Sequence, residues 1–217
     1  MESIAHIVSP LNAAWSGWVM LILMLFAIIS EYAQPGVITQ AVSSLRPRIE
    51  RTYKDAPTNF LSQTLITLFR VGTLAMALCL SLCSDKGFTF GAFIALCMVI
   101  VVVLVVKMLC NVIVDYTFML SRRFTPVYEH YSNILTIVAC LLFPCLLVLL
   151  RIGSTEGSKW VLGIAAVLFM LLWIYRSART YINSPIAIIY FLLYIVTMEL
   201  LPLGLLFYLS SQTIQYL

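Results

Sequence analysis

Residues 91–106 run for sixteen positions without a charge, a hydroxyl or an amide. Water does not solvate such a segment, and a soluble core of ordinary size cannot hide several of them. The question is therefore how many more there are. A membrane-crossing helix takes about twenty predominantly apolar residues, and six stretches qualify: 13–32, 60–82, 91–115, 132–150, 160–175 and 185–209. The fifth reaches full length only if Lys159 and Arg176 carry their charged ends out to the two interfaces, as long basic side chains do. No run alternates with a period of two, and a helix satisfies every backbone polar group within its own segment, so the spans are helical.

Composition agrees. The 217 residues are 62% hydrophobic and 10% charged, against about 45–50% apolar and about 25% charged in soluble domains. The expected architecture is an all-α polytopic bundle of about six transmembrane helices, forming one integral membrane domain over residues 1–217 with the bilayer as its surroundings. Met1, Glu2 and Ser3 offer no positive leader, and Trp15 and Trp18 stand near the start of the first run, so that run reads as a retained helix.

Loop charge sets the expected orientation. Arg46, Arg48, Arg51 and Lys54 lie between the first two spans, Arg122 and Arg123 between the third and fourth, and Arg179 with Arg176 between the fifth and sixth. Basic loops stay cytoplasmic. The other side carries only Lys86 beside Asp85, and Arg151 and Lys159 at loop ends, so both termini are expected outside a cytoplasmic (inner) membrane. The loop 34–59 places Val37, Ile38, Ala41, Val42, Leu45 and Ile49 near a helical period, which suits an interfacial helix interrupted at Pro47. Its basic cluster fixes topology and faces anionic lipid at about 1 kcal/mol per cation; a sharper reading makes it a docking surface for a cytoplasmic partner. Tyr116, Tyr128 and Tyr131 read as aromatic-belt anchors on the same side.

Charges within spans are the informative positions, because each costs at least about 2.5–3.5 kcal/mol at a helix centre and must face protein or water. Arg70, Lys107 and Glu199 are such residues, and Lys107, Asn111 and Asp115 recur four apart on one helical stripe. The economical arrangement pairs Glu199 with Arg70 or Lys107, with Asn111 and Asp115 extending the polar path toward the cytoplasm. Two bases against one deep acid then call for a further acceptor, water or a bound anion. This constellation is either an ion-pair network that fixes helix register or a path for a proton, an ion or a lipid head group. Pro144 and Pro202 fall within spans and free the carbonyls of Cys140 and Met198, predicting a kink or an inserted ligand at each.

The six cysteines, Cys79, Cys83, Cys97, Cys110, Cys140 and Cys145, sit in or beside apolar runs and read as packing or lipid-facing residues. No metal, nucleotide or hydrolase motif is present, and His6 and His130 fall toward opposite membrane faces, so no cofactor, metal or nucleic acid is expected.

The stretch Tyr190-Phe191-Leu192-Leu193-Tyr194-Ile195-Val196-Thr197-Met198-Glu199-Leu200-Leu201-Pro202-Leu203 resembles the carboxy-terminal signature of an integral membrane family of Bacteroidota, domain of unknown function 4271. Lys107 followed by Phe118, and Asn133 before Leu141-Leu142-Phe143-Pro144, are weaker matches to it. The resemblance covers most of the chain from the second span onward, and implies a multi-span inner-membrane protein with no assigned activity. It adds weight to Glu199, Pro202 and Lys107 and none to Arg70.

The expected role is that of a non-enzymatic membrane component, a scaffold or accessory subunit of an envelope assembly, associating with another membrane protein or with itself. The alternative is a small proton-coupled transporter or lipid-intermediate carrier working through Glu199 and the Lys107/Asn111 stripe; an intramembrane lipid-modifying enzyme using Glu199 or Asp115 is the remote third. The charge pattern makes one direct prediction. In a cysteine-free background, Arg48→Cys and Arg123→Cys are expected to react with a membrane-impermeant thiol reagent from the same, cytoplasmic side, and labelling from opposite sides would overturn the topology.

Overall fold

A computed structural model describes residues 14–43, 60–82, 89–118, 125–152, 155–181 and 201–216, and all of its regular structure is helical. The helices are α1 (Ala14–Ala33), α2 (Val37–Ser43), α3 (Phe60–Leu82), α4 (Phe90–Phe118), α5 (Thr125–Ile152), α6 (Thr155–Tyr181) and α7 (Leu201–Tyr216). Five of them, α1 and α3 to α6, contain windows long and apolar enough to cross a membrane. These are the first five expected spans. Most helices overrun them: α5 begins at Thr125, ahead of the apolar run that starts near residue 132. Backbone hydrogen bonding continues after hydropathy falls, so apolar runs underestimate helix length. Residues 182–200, most of the sixth expected span, lie outside the described residues, and α7 covers its end with Pro202 in the first turn. Proline is tolerated there because the first-turn N–H groups have no intrahelical acceptor. Pro144 lies inside α5, which continues as helix on both sides of it.

The bundle is organised around α3. Residues 69–81 are buried on every face except at Leu74, which is half-buried. Hydrocarbon offers the buried Ser62, Arg70, Thr73 and Ser81 of this helix no hydrogen-bond partners, so it must be covered by protein, and α1, α4, α5 and α6 all pack against α3, α1 most extensively. Each neighbour gives one stripe to α3, and α5 also packs against α6 and α2, and α4 against α7. On α4 the buried residues Phe93, Leu96, Ile100, Val103 and Lys107 follow one another at alternating steps of three and four, with Ala92 buried beside the first, while Ile94, Met98, Val102, Val105 and Leu109 are exposed. That is the spacing of a left-handed helix seam, and the exposed apolar residues are the surface that hydrocarbon solvates. On α1 the corresponding seam is Ser16, Met20, Leu23, Ala27 and Ser30.

Hydrocarbon gives helices no hydrophobic reason to associate, so small residues and interhelical hydrogen bonds carry the packing. Ser30 Oγ donates to the carbonyl of Ser62 and Ser62 Oγ donates to the carbonyl of Ser30, both at 3.0 Å, with the two hydroxyl oxygens also 3.0 Å apart. This reciprocal clasp is fully buried. Further along, Leu23 fills the space where Gly72 lacks a side chain, so closely that an added Cβ would collide with it. At the other end Ser158 Oγ of α6 donates to the Leu80 carbonyl at 3.1 Å. Thr73 and Thr136 turn their hydroxyls back to carbonyls of their own helices, Phe69 at 2.7 Å and Ser132 at 2.9 Å.

Between α1 and α3 the chain reverses at Pro35-Gly36, and Gly36 takes a positive φ of 92°, where a side chain would be strained. The carboxylate of Glu31, at the end of α1, accepts from the backbone N–H of Gly36 at 2.7 Å and of Ile38 at 3.0 Å. Those are orphan donors at the start of α2. A short helix, α2, therefore stands where the interfacial helix was expected, and it leans on α5. Leu45, Pro47, Ile49 and the cluster Arg46, Arg48, Arg51 and Lys54 lie outside the described residues.

Gly72→Leu is expected to lower stability by about 1–3 kcal/mol, the usual range for an overpacked core, with partial rescue by Leu23→Ala. Thermal unfolding of the purified protein in detergent checks this, and additive effects of the two substitutions would contradict the contact.

Candidate functional site

Two of the charges singled out by their depth meet at one place. Arg70 on α3 is 8% exposed and Lys107 on α4 is 7% exposed. Each is buried for a reason legible in its helix: Arg70 falls in the fully covered stretch of α3, and Lys107 occupies a step of the α4 seam. Both side chains line a cavity of about 220 Å³ between α3, α4 and α5, together with Tyr131 and Ser132 of α5. Thr67, Val71, Val101, Leu104, Val105, Met108 and Leu135 complete its described wall. The volume is well above the roughly 30 Å³ share of one liquid water.

The two cations are held differently. Arg70 Nη1 donates to Ser132 Oγ, a charge-assisted hydrogen bond that ties α3 to α5. Lys107 Nζ stands 3.5 Å from the centroid of the Tyr131 ring and 6.0 Å from that of Trp173. A cation over an aromatic face is stabilised by about 0.5–1 kcal/mol when exposed and by about 2 or more when desolvated. Tyr131 is braced in turn by edge contacts with Phe169 and Trp173 of α6, both at 5.4 Å. Lys107 thus joins α4 to α5 directly and to α6 through the aromatic cluster.

Tyr131 corrects an expectation. Its position near a basic loop suggested an interfacial anchor, but the ring points into the bundle and serves as the platform beneath Lys107, because α5 already runs as a packed helix at that residue. Ser132 and Trp173 were not singled out from sequence either. A serine at the start of an apolar run and a tryptophan near the end of one carry no distinctive local signal; what reveals them is their spatial conjunction with Arg70 and Lys107. Glu31, the cap of α2, was also missed, although a carboxylate a few residues ahead of a Pro-Gly turn is a readable cue.

The remaining expected residues are only partly placed. Asn111 and Asp115 lie on α4 in helical register with Lys107, and their side chains fall outside the described residues. Glu199 lies outside them entirely, and the expected pairing with Arg70 or Lys107 goes with it. The described cysteines, Cys79, Cys97, Cys110, Cys140 and Cys145, are free thiols, from buried at Cys79 to exposed at Cys145. Among the described residues no group of three or more His, Cys, Asp or Glu side chains converges as metal ligands would.

Apolar helices with lipid-suited outer faces, packed around a central buried helix, define an all-α polytopic membrane protein. The chain belongs to the family described as Domain of unknown function (DUF4271), whose model matches residues 17–209. No curated protein and no solved structure matches it.

The aromatic platform yields a prediction. Tyr131→Phe keeps the ring under Lys107 and is expected to retain most of the stability, whereas Tyr131→Leu is expected to cost about 0.5–2 kcal/mol more, the range of the cation–π term. Chemical unfolding in mixed micelles measures the difference, and equal effects of the two substitutions would remove the ring face from the account.

Proposed function

We propose that this protein is a non-enzymatic component of a cytoplasmic (inner) membrane assembly, a scaffold or accessory subunit, in which buried cations set the helix register that a partner recognises. The single observation that supports this reading is the use of the two deep charges as ties between helices: Arg70 reaches from α3 to Ser132 on α5, and Lys107 reaches from α4 to Tyr131 on α5. Charges engaged in this way fix geometry even where they add little net stability. Both termini face outward in this reading, by the distribution of basic loops. The outer helices then offer apolar faces to lipid or to a neighbouring membrane protein, with Trp160, Tyr175 and Tyr208 as large exposed side chains.

A second reading draws on the cavity beside Lys107: a small proton-coupled transporter or lipid-intermediate carrier with Glu199 as the titrating group and the Lys107/Asn111 stripe as its path. Glu199→Gln separates the two. In the accessory-subunit reading, the tagged protein extracted in mild detergent is expected to co-purify with a stoichiometric membrane partner, and Glu199→Gln is expected to be unstable unless Arg70 or Lys107 is neutralised as well. A protein that migrates alone, folds normally as Glu199→Gln and loses proton-linked flux in vesicles would favour the carrier.

A further inference from the structure

The apolar surface of the bundle is not of one height. On α4 exposed apolar side chains run from Phe90 to Val112, with Ile94, Met98 and Val105 between them. At about 1.5 Å per residue that strip is about 33 Å tall, enough for a hydrocarbon core of about 30 Å. On α6 the strip is closed at both ends by exposed aromatic rings, Trp160 at 73% and Tyr175 at 58%, with Ile164, Val167 and Leu171 exposed between them. The same rise makes it about 22 Å tall. Exposed Glu156 and Lys159 precede the first ring, and Arg176 follows the second. The two helices run the same way: α4 turns back along α3 after a short link, and α6 starts where Ser158 meets the Leu80 carbonyl near the end of α3. Near their far ends Lys107 Nζ stands 6.0 Å from the centroid of the Trp173 ring. Past that contact α6 offers exposed apolar surface only as far as Tyr175, two residues on, while α4 offers it as far as Val112, five residues on.

We infer that the α6 flank is a membrane-thinning surface, whose partner is a bilayer locally thinner than the one along α4 and enriched in phospholipids of short acyl chain. Tryptophan and tyrosine rings settle at the head-group level, so Trp160 and Tyr175 mark where head groups meet α6. Hydrocarbon of ordinary thickness at this flank submerges both rings and brings the exposed carboxylate of Glu156 close to acyl chains, at the cost of a charge without water. Tilting does not relieve the shortfall, because it shortens the height of a span, and α6 is held against α3 and α5 by packing. Snorkelling moves the charged ends of Lys159 and Arg176 outward but leaves the two rings where the helix puts them. A short apolar stretch is then accommodated by a thinner bilayer or by cover from another protein. Aromatic rings exposed at both ends of the strip are the mark of a helix that meets head groups, and they favour lipid.

The chain has four tryptophans, and Trp173 is buried, so Trp15→Phe, Trp18→Phe and Trp160→Phe together leave one ring that lipid does not reach. Into that full-length background a reporter is placed on either flank, Val167→Trp on α6 or Met98→Trp on α4, both at exposed positions. Each is reconstituted in an equal mixture of brominated dioleoyl-phosphatidylcholine, which quenches, and dimyristoleoyl-phosphatidylcholine, which does not, and is normalised to its quenching in brominated lipid alone. The α6 reporter is expected to be quenched about twofold less than the α4 reporter, because short chains collect where the apolar strip is short. Lys159→Leu with Arg176→Leu lengthens the strip and is expected to bring the two reporters level. Equal quenching before the strip is lengthened would overturn the inference, as would a difference that survives the lengthening. An α6 reporter that brominated lipid alone does not quench would overturn it too, since a second copy or another protein then covers the flank. The first comparison needs no lengthened variant and stands even where that variant fails to fold. The accessory-subunit reading is tested separately, by partner recovery: a chain that co-purifies with its partner but quenches equally on both flanks loses the thinning surface alone.

Discussion

Hydrocarbon supplies no hydrogen-bond partners, so every polar atom that enters it must be satisfied by the chain itself. In this protein the consequence is concentrated in α3. It carries Ser62, Arg70, Thr73 and Ser81 as well as apolar residues, and each of these four is buried. Only a helix enclosed by others could hold them all, and α1, α4, α5 and α6 enclose it. The serine clasp with α1, the guanidinium contact with α5 and the hydroxyl contact from α6 then follow as the ways in which those neighbours satisfy α3 or are satisfied by it.

The remaining helices are arranged by the same constraint seen from outside. A lipid-facing helix can be apolar all round without penalty, so its hydropathy alone does not say which face is inward. Position within the seam says it. Lys107 is the informative case: it continues the spacing of Phe93, Leu96, Ile100 and Val103, and the aromatic face of Tyr131 makes its charge tolerable there.

How much of this was legible beforehand depended on whether the signal was local. Span number and helical character came through for the first five spans, because sixteen apolar residues in a row admit few alternatives. Arg70 and Lys107 stood out for the same reason, since a charge within such a run is conspicuous. The identity of their partners was not legible: Ser132 and Tyr131 are ordinary residues whose role is created by long-range packing, and Tyr131 was misread as an interfacial anchor because its nearness to a basic loop was the only local cue. The capping carboxylate of Glu31 was overlooked since it acts across a turn and not within the helix that contains it. Glu199 and the basic loop lie outside the described residues, so the acid expected to answer the two cations keeps the standing that sequence alone confers.

The central claim is that α3 is enclosed by protein while the helices around it face lipid. A photoactivatable diazirine dissolved in the acyl region of the bilayer, followed by peptide mapping of the labelled chain, reads that difference directly. Label is expected on α1, α4 and α6 at outward positions such as Met24, Met98 and Leu171, which are exposed, and is expected to spare residues 69–81 of α3. Incorporation into residues 69–81 at the level of α4 would contradict the enclosure of α3, and with it the packing of α3 on α5 that places Arg70 beside Ser132.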